Sequence, residues 1–284
     1  MDSAQRARAQ AFVDLHRAGC LLLPNAWDAG SARLLESVGF PAVATTSAGI
    51  AFSFGRPDHD FFTEHGEHGR LDRPTMLRRL HEITDAVRIP VSADLEEGYG
   101  PDVQTVATTF ALAIDAGAAG GNLEDFTGDR AAPLFEQSHA VDRVRAARAA
   151  VAASGEPFVL VGRTDALLVD ASLDEAIRRG NAYLAAGADC VFVPGAADAT
   201  TITTLVRALD GPLNVVMGLS EGALTMAELA ELGVRRVTVG GSIARLLYRH
   251  LLDAARELAE HGTFTYAATQ LAQSTLNEHF TDRP

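Results

Sequence analysis

The chain has 284 residues, 47% hydrophobic and 21% charged, which is ample apolar material for a large core and rules out a disordered chain. A net charge of −13 argues against nucleic acid as a partner, since no basic stripe is available to neutralise phosphates. No run of about 18 apolar residues suggests a membrane span. The opening MDSAQRARAQAFVDLHRAG alternates charge with alanine and lacks the apolar core of a signal peptide, so a cytoplasmic location is expected.

Residues 3–18 read as an amphipathic helix leading into a repeating pattern. Strand 1 is expected at Leu21–Pro24, with a helix beginning near Asp28, and strand 2 at Ala42–Thr46. A long loop rich in Gly, His and Phe is expected from Ser47 to about Asp72, followed by a helix opening at Pro74, a favoured first-turn residue. VSADLE forms strand 3, and a helix spans roughly Val103–Ala116. GGNLED forms strand 4, and a second long loop runs from Phe126 to about Gln137. The remaining strands are FVLVGR, CVFVPG, LNVVM and RVTVG, separated by helices over Ala140–Ala153, Leu173–Ala186, Ile202–Leu209 and Thr225–Leu232. The last helix begins at Ser242.

Valine, isoleucine and leucine fill the strands while alanine fills the helices, as parallel strands buried on both faces require. Gly117, Gly187 and Gly233 read as helix C-caps feeding the next strand. Cys20 and Cys190, at the starts of strands 1 and 6, read as buried free thiols. Eight apolar runs, each ending in polar or glycine-rich residues before a helix, give the rhythm of an α/β (β/α)8 TIM barrel with an N-terminal helix. No linker divides the chain, so one domain is expected over 1–284. Residues 247–284 continue beyond what an eighth helix needs. Their apolar positions Leu271, Leu276 and Phe280 point to packing on a neighbour, in this or another subunit.

Active sites of such barrels sit at the C-terminal strand ends. Here those ends carry Asp28, Ser47, Asp94 with Glu96, Glu124 with Asp125, Arg163 with Asp165, Gly195, Asn214, and Gly240 with Gly241. Side chains at i and i+2 of a strand share a face, so Asp94 and Glu96 are expected to look together toward the mouth, with Glu124 beside them. Three converging carboxylates repel one another unless a cation lies between them, and oxygen-only ligation favours Mg²⁺, with Mn²⁺ possible. The alternative is that some of them cap helices, Glu97 and Asp125 above all. Arg163 suits a substrate carboxylate, held bidentately, or else a structural pair with Asp165 or a mouth carboxylate. Ser47, Ala48 and Gly49 form a small-residue turn whose N–H groups could meet an anionic oxygen. Asp58 and His59 enter the mouth from the strand-2 loop. The tract Glu64, His65, Glu67 and His68 looks like metal ligands but lies in a glycine-rich loop with no helix to set its geometry, so a solvated loop is expected. Gly240, Gly241 and Ser242 mark the place where many barrels bind phosphate.

In combination, LLLPNAWDAGSARLLESVGF, TTSAGIAFSFGRPD, SADLEEGYG, GGNLED, GRTDA and the helical tail resemble the isocitrate lyase and phosphoenolpyruvate mutase superfamily over nearly the whole chain. The resemblance implies Mg²⁺ held, largely through waters, by Asp94, Glu96 and Glu124. It implies a 2-oxo or 2-hydroxy acid chelating the metal, gripped by Ser47, Gly49 and Arg163, with Ala48 and Asn214 in the substrate-binding set and Asp58 near the reacting end. Asp58, Glu124 and Arg163 are the expected catalytic groups. It also implies homotetramers, dimers of dimers that swap their C-terminal helices. No membrane partner is expected.

The departures limit the chemistry. The lyase branch carries a K-[KR]-C-G-H loop after the strand-4 acidic pair. By spacing its lysine, cysteine and histidine become Arg130, Ala132 and Leu134, and Gly195 replaces an acid after strand 6. The lysine and asparagine of the mutase branch are also absent. Cleavage of isocitrate or methylisocitrate is therefore not expected, and with no lysine ending a strand a Schiff-base aldolase is disfavoured. What remains is a Mg²⁺-dependent lyase or decarboxylase cleaving a C–C bond of a small 2-oxo (or 2-hydroxy) acid through a pyruvate-like enolate. The alternatives are a carbon–phosphorus enzyme, meaning a mutase or a phosphonopyruvate hydrolase, a 2-oxo acid binding protein without turnover, and a phosphosugar enzyme.

Overall fold

A computed structural model describes residues 2–58, 71–169 and 171–281. Nine parallel strands form one sheet in the order β1-β9-β8-β7-β6-β5-β4-β3-β2: Leu21–Leu23, Asn25–Ala26, Val43–Thr45, Val91–Asp94, Gly120–Glu124, Val159–Arg163, Cys190–Phe192, Leu213–Val216 and Arg236–Thr238 for β1 to β9. This is the expected eight-stranded barrel with its first strand divided. Pro24 has no N–H to offer a ladder, so the strand breaks there. The β1 half pairs with β9 and the β2 half with β3, and that shared segment closes the barrel.

Between strands run α2 (Ala29–Ser37), α3 (Ser47–Ser53), α4 (Arg73–Ala86), α5 (Val103–Asp115), α6 (Gln137–Ser154), α7 (Leu173–Ala185), α8 (Ala199–Ala208) and α9 (Met226–Glu231), after an N-terminal α1 (Ser3–Leu15). Side-chain caps start most of them. Asp28 accepts the Ser31 N–H for α2, Asp72 the Thr75 N–H for α4 and Asp102 the Thr105 N–H for α5. Asp28 at a strand end is therefore a helix cap. Gly117, Gly187 and Gly233 follow α5, α7 and α9 with φ of +93°, +109° and +93°. Cys190 is buried and Cys20 partly so, both as free thiols.

The expected loop from Ser47 to Asp72 begins instead as α3, because the Thr46 side chain caps the Gly49 N–H and starts a turn. His59 and the tract Glu64 to His68 lie outside the described residues.

Apolar residues of the strands' outer faces and of the surrounding helices make the main core, as with Val91, Leu160, Val106, Phe110 and Tyr183. A separate cluster fills the N-terminal end of the barrel, where Phe12 of α1 meets Leu21, Ala42, Val159 and Cys190. Gly120 permits that approach: a Cβ there would lie 2.7 Å from the Phe12 ring and 2.8 Å from the Val159 carbonyl.

Beyond β9, α10 (Ser242–His261) leads to α11 (Gln273–Thr281). The α11 helix rests on α2 of the same chain, where Arg33 donates to the His279 carbonyl at 3.2 Å. Leu246, Leu247, Leu251 and Leu252 of α10 remain exposed. Among the described residues, no helix is long and apolar enough to cross a membrane.

Candidate active site

A cavity of about 370 Å³ opens at the C-terminal strand ends, lined among others by Ser47, Ala48, Asp58, Asp94, Asn122, Glu124, Arg163 and Asn214. Asp94, Glu124 and Arg163 end their strands, Asn122 and Asn214 lie within theirs, Ser47 and Ala48 open α3, and Asp58 follows α3. Gly195, Gly240 and Gly241 also line it, with Phe192 and Arg245.

Asp94 is the last residue of β4. Its Oδ2 accepts the Ser47 N–H at 3.0 Å and its Oδ1 the Asn122 amide at 3.0 Å, while its own N–H donates to Thr45 Oγ1 at 2.8 Å. Donors from the turn after β3 and from β5 thus fix the carboxylate, while Thr45 of β3 holds its backbone. Glu124 ends β5, is buried, and meets Arg163 Nη1 at 2.7 Å. Burial drives its carboxyl well above the usual range. Arg163 opposes that shift, while Asp165, Asp94 and Glu96 add to it.

Arg163 ends β6, beside Glu124 in register. Its Nε donates to Asp165 Oδ1 at 2.6 Å and its Nη2 to Asp165 Oδ2 at 3.0 Å, and the guanidinium lies 5.4 Å from the Phe192 ring centre. Burial alone would depress its pKa, but the charges of Asp165, Glu124 and Asp94 outweigh it and raise it. Asp165 is pushed up to about 6, because burial outweighs the pull of Arg163. The structural pairing is present, and Arg163 also lines the cavity. Three of the five N–H groups are engaged, which leaves two uncommitted among the described residues.

Glu96 is reached differently from the expected strand alternation. The strand ends at Asp94, and Glu96 sits in a turn with φ +49°. It is buried beyond the cavity wall, accepting the Tyr99 hydroxyl at 3.1 Å, and its main-chain carbonyl accepts the Glu124 N–H at 3.0 Å. Asp125 faces away from the cavity. It is locked by Tyr183 (2.6 Å), Arg179 (3.2 Å) and the Asp165 N–H (2.9 Å).

In the turn after β3, the Ser47 N–H is taken by Asp94 and the Gly49 N–H by Thr46 Oγ1 at 3.4 Å. The Ala48 N–H and the Ser47 hydroxyl are the donors this leaves at the cavity. Gly49 itself is buried behind them. A Cβ there would come within 2.7 Å of Thr46 and 2.9 Å of Trp27. Gly49→Ala is expected to cost about 1–3 kcal/mol of stability through overpacking. A Tm equal to wild type in calorimetry would show that the turn is looser than its contacts imply.

Asn122 and Arg236 are among the lining residues that the sequence reading does not single out. Asn122 shares a strand face with Glu124 two residues on, a signal present in GGNLED. Arg236 starts β9 with its guanidinium inside the barrel, donating to Ser92 Oγ at 2.9 Å and resting 5.8 Å from the Phe12 ring centre. Burial pulls its pKa down to about 10. In the second loop, Arg130 and Ala132 lie exposed on a turn closed by Thr127, and only Phe126 of that loop lines the cavity.

The donor set suits a hard divalent cation. It is all oxygen, and positive charge would offset the burial and the neighbouring carboxylates that lift Glu124. Among the described residues no three His, Cys, Asp or Glu side chains form a direct ligand cage. Mg²⁺ commonly takes one or two carboxylates and keeps its own waters, which fits that arrangement.

The chain is similar to known proteins over most of its length. The family model described as phosphoenolpyruvate phosphomutase matches residues 12–259. A solved structure from Burkholderia cenocepacia J2315 is 43% identical, with a TM-score of 0.92 over 99% of this chain and 98% of the other. The 2-methylisocitrate lyase of Escherichia coli K12 is 36% identical over 173 residues, 58% of this chain and 54% of its own. The oxaloacetate decarboxylase of Paraburkholderia xenovorans LB400 is 29% identical over 290 residues, 99% of this chain and 91% of its own.

Proposed function

Because the chain belongs to the phosphoenolpyruvate mutase family, within the superfamily that includes isocitrate lyase, we propose that it is a Mg²⁺-dependent lyase or decarboxylase of a small 2-oxo acid. One observation carries the reading: Asp94 and Glu124 stand in one cavity with the Arg163 guanidinium and the turn at Ser47 and Ala48.

Asp94, Glu124 and, from behind, Glu96 would hold the cation. When bound, it supplies Lewis-acid stabilisation of negative charge on substrate oxygens. Arg163 would grip the substrate carboxylate with its two uncommitted N–H groups, held in place by Asp165 and stacked near Phe192. The Ala48 N–H and Ser47 hydroxyl would donate to the same end. The bond from the third carbon to the departing group would break, CO₂ leaving in a decarboxylation or an aldehyde or ketone, its hydroxyl proton lost, in a retro-aldol. The bonding pair becomes the C2–C3 double bond and the carbonyl pair moves onto the 2-oxo oxygen, giving a pyruvate-like enolate. The fixed positive charge of Arg163 favours that change most where charge accumulates. Asp58, at the rim, is the group we assign to moving the proton at the third carbon. Asn214, buried across the barrel with its Oδ1 lacking a partner among the described residues, would contact the rest of the substrate.

The name of the matching family model keeps a carbon–phosphorus reading second. Proton and phosphorus NMR with Mg²⁺, using oxaloacetate, phosphonopyruvate and 4-hydroxy-2-oxo acids, each with an EDTA control, separates the two. Metal-dependent pyruvate from a carbon substrate is expected. Phosphate release from phosphonopyruvate alone would establish the second reading, and binding without turnover of any of them would remove both.

The exposed leucines of α10 support a homo-oligomer, a tetramer with C-terminal helices crossing between subunits. Light scattering at the mass of one chain would remove that part.

A further inference from the structure

Residues 95–101 carry the turn that delivers Glu96, and their backbone is unusual. Among the described residues, Glu96 (φ +49°) and Tyr99 (φ +64°) are the only non-glycine residues with left-handed backbone. Such conformations persist only where surrounding structure over-determines them. The segment forms no strand or helix of its own, and Glu124 of β5 reaches only its Glu96 carbonyl. Its own ties are the Gly98 N–H to the Leu95 carbonyl at 2.9 Å and Thr109 Oγ1 to the Gly98 carbonyl at 2.8 Å.

The larger tie comes from α6. Arg143 is 1% exposed, a charged residue on the same buried face of α6 as Ala140, Val144 and Ala147. Its Nη1 donates to the carbonyls of Gly100 (2.8 Å) and Pro101, and its Nη2 to that of Glu97. The guanidinium stacks 4.1 Å from the Phe135 ring centre, which fixes its plane. A single planar fork therefore holds the main chain on both sides of Tyr99, whose hydroxyl donates to Glu96 Oε1 at 3.1 Å. A lysine has the charge but not the fork.

We propose that Arg143 is a positioning residue for the cation site. It clamps residues 97–101 so that Tyr99 and Glu96 stay where Glu96 can serve the site with Asp94 and Glu124. This rests on the reading of those three carboxylates as the cation site.

The test is Mn²⁺ titration of the full chain by electron paramagnetic resonance, for wild type, Asp94→Asn, Arg143→Lys and Phe135→Leu, with a melting curve for each. Wild type binds Mn²⁺ and Asp94→Asn loses it. Arg143→Lys weakens affinity about 10- to 100-fold, as loss of an outer-shell partner does. Phe135→Leu, which leaves every hydrogen bond donor in place, weakens it about 2- to 5-fold, and it decides the matter if Arg143→Lys does not fold. Lower melting temperatures with Mn²⁺ affinity unchanged in both variants would reduce Arg143 to a stabilising residue and overturn the proposal. Wild type binding no Mn²⁺ would overturn the cation site, and this role with it. The Asp94→Asn control keeps those two failures apart.

Discussion

Asp94→Ala lowers Mn²⁺ affinity by about 100-fold or more and removes Mg²⁺-dependent turnover. The size of the effect follows from how much converges on this carboxylate. It is fixed by a backbone N–H from the turn after β3 and by an amide from β5, so its oxygens sit where neither Glu96 nor Glu124 can replace them. Glu124 is already committed to Arg163. Loss of an outer-shell group costs about 10- to 100-fold in affinity, and a ligand should cost at least the upper end. The substitution also strands the Ser47 N–H and the Asn122 amide, at about 1–3 kcal/mol. Asp94→Asn, which keeps the shape, isolates the charge from that damage. Mn²⁺ affinity equal to wild type in both variants would remove Asp94 from the site.

Arg163→Met is expected to lower kcat/KM by about 10³-fold, the upper end for loss of a preorganised charge partner, and to cost about 3–5 kcal/mol of stability near neutral pH. The stability loss has a definite pH dependence. Without the guanidinium, Glu124 and Asp165 are buried carboxyls with no countercharge, and both stay protonated in the folded state to higher pH than when unfolded. Asp165 stands at about 6 even with Arg163 present. The folded state then binds more protons than the unfolded one, so stability falls as pH rises through and beyond the ordinary carboxylate range. Denaturant unfolding should find the variant closer to wild type at pH 5 than at pH 8. Arg163→Lys keeps a charge but cannot span both carboxylates, and should fall between the two. A variant equally destabilised at both pH values would mean that Arg163 acts through packing on Phe192.

The barrel was legible because strand ends and helix caps leave local signals: Asp28, Asp72 and Asp102 announce their helices, and Gly117 and Gly187 close theirs. Pro24 divides the first strand, and an apolar run gives no hint of which neighbour each half will pair with. The helix at Ser47–Ser53 was hidden because SAGIAFS has a glycine in its interior and too few turns to show a period. Asp94, Glu124 and Arg163 could be brought together from topology alone, since adjacent parallel strands end at one rim. Glu96 could not, because its place depends on a left-handed turn held by Arg143 from another helix. The locking of Asp125 by Arg179 and Tyr183 is likewise a long-range contact that no local pattern announces.

The most direct measurement is calorimetric titration of oxalate, a planar dianion shaped like the enolate of pyruvate, against pyruvate itself, with and without Mg²⁺. A site built for the enolate binds its analogue at least about 100-fold more tightly than the ground-state acid. That preference should appear only with Mg²⁺ and should be lost in Arg163→Met. Oxalate binding no tighter than pyruvate, or indifferent to Mg²⁺, would contradict enolate stabilisation at this site.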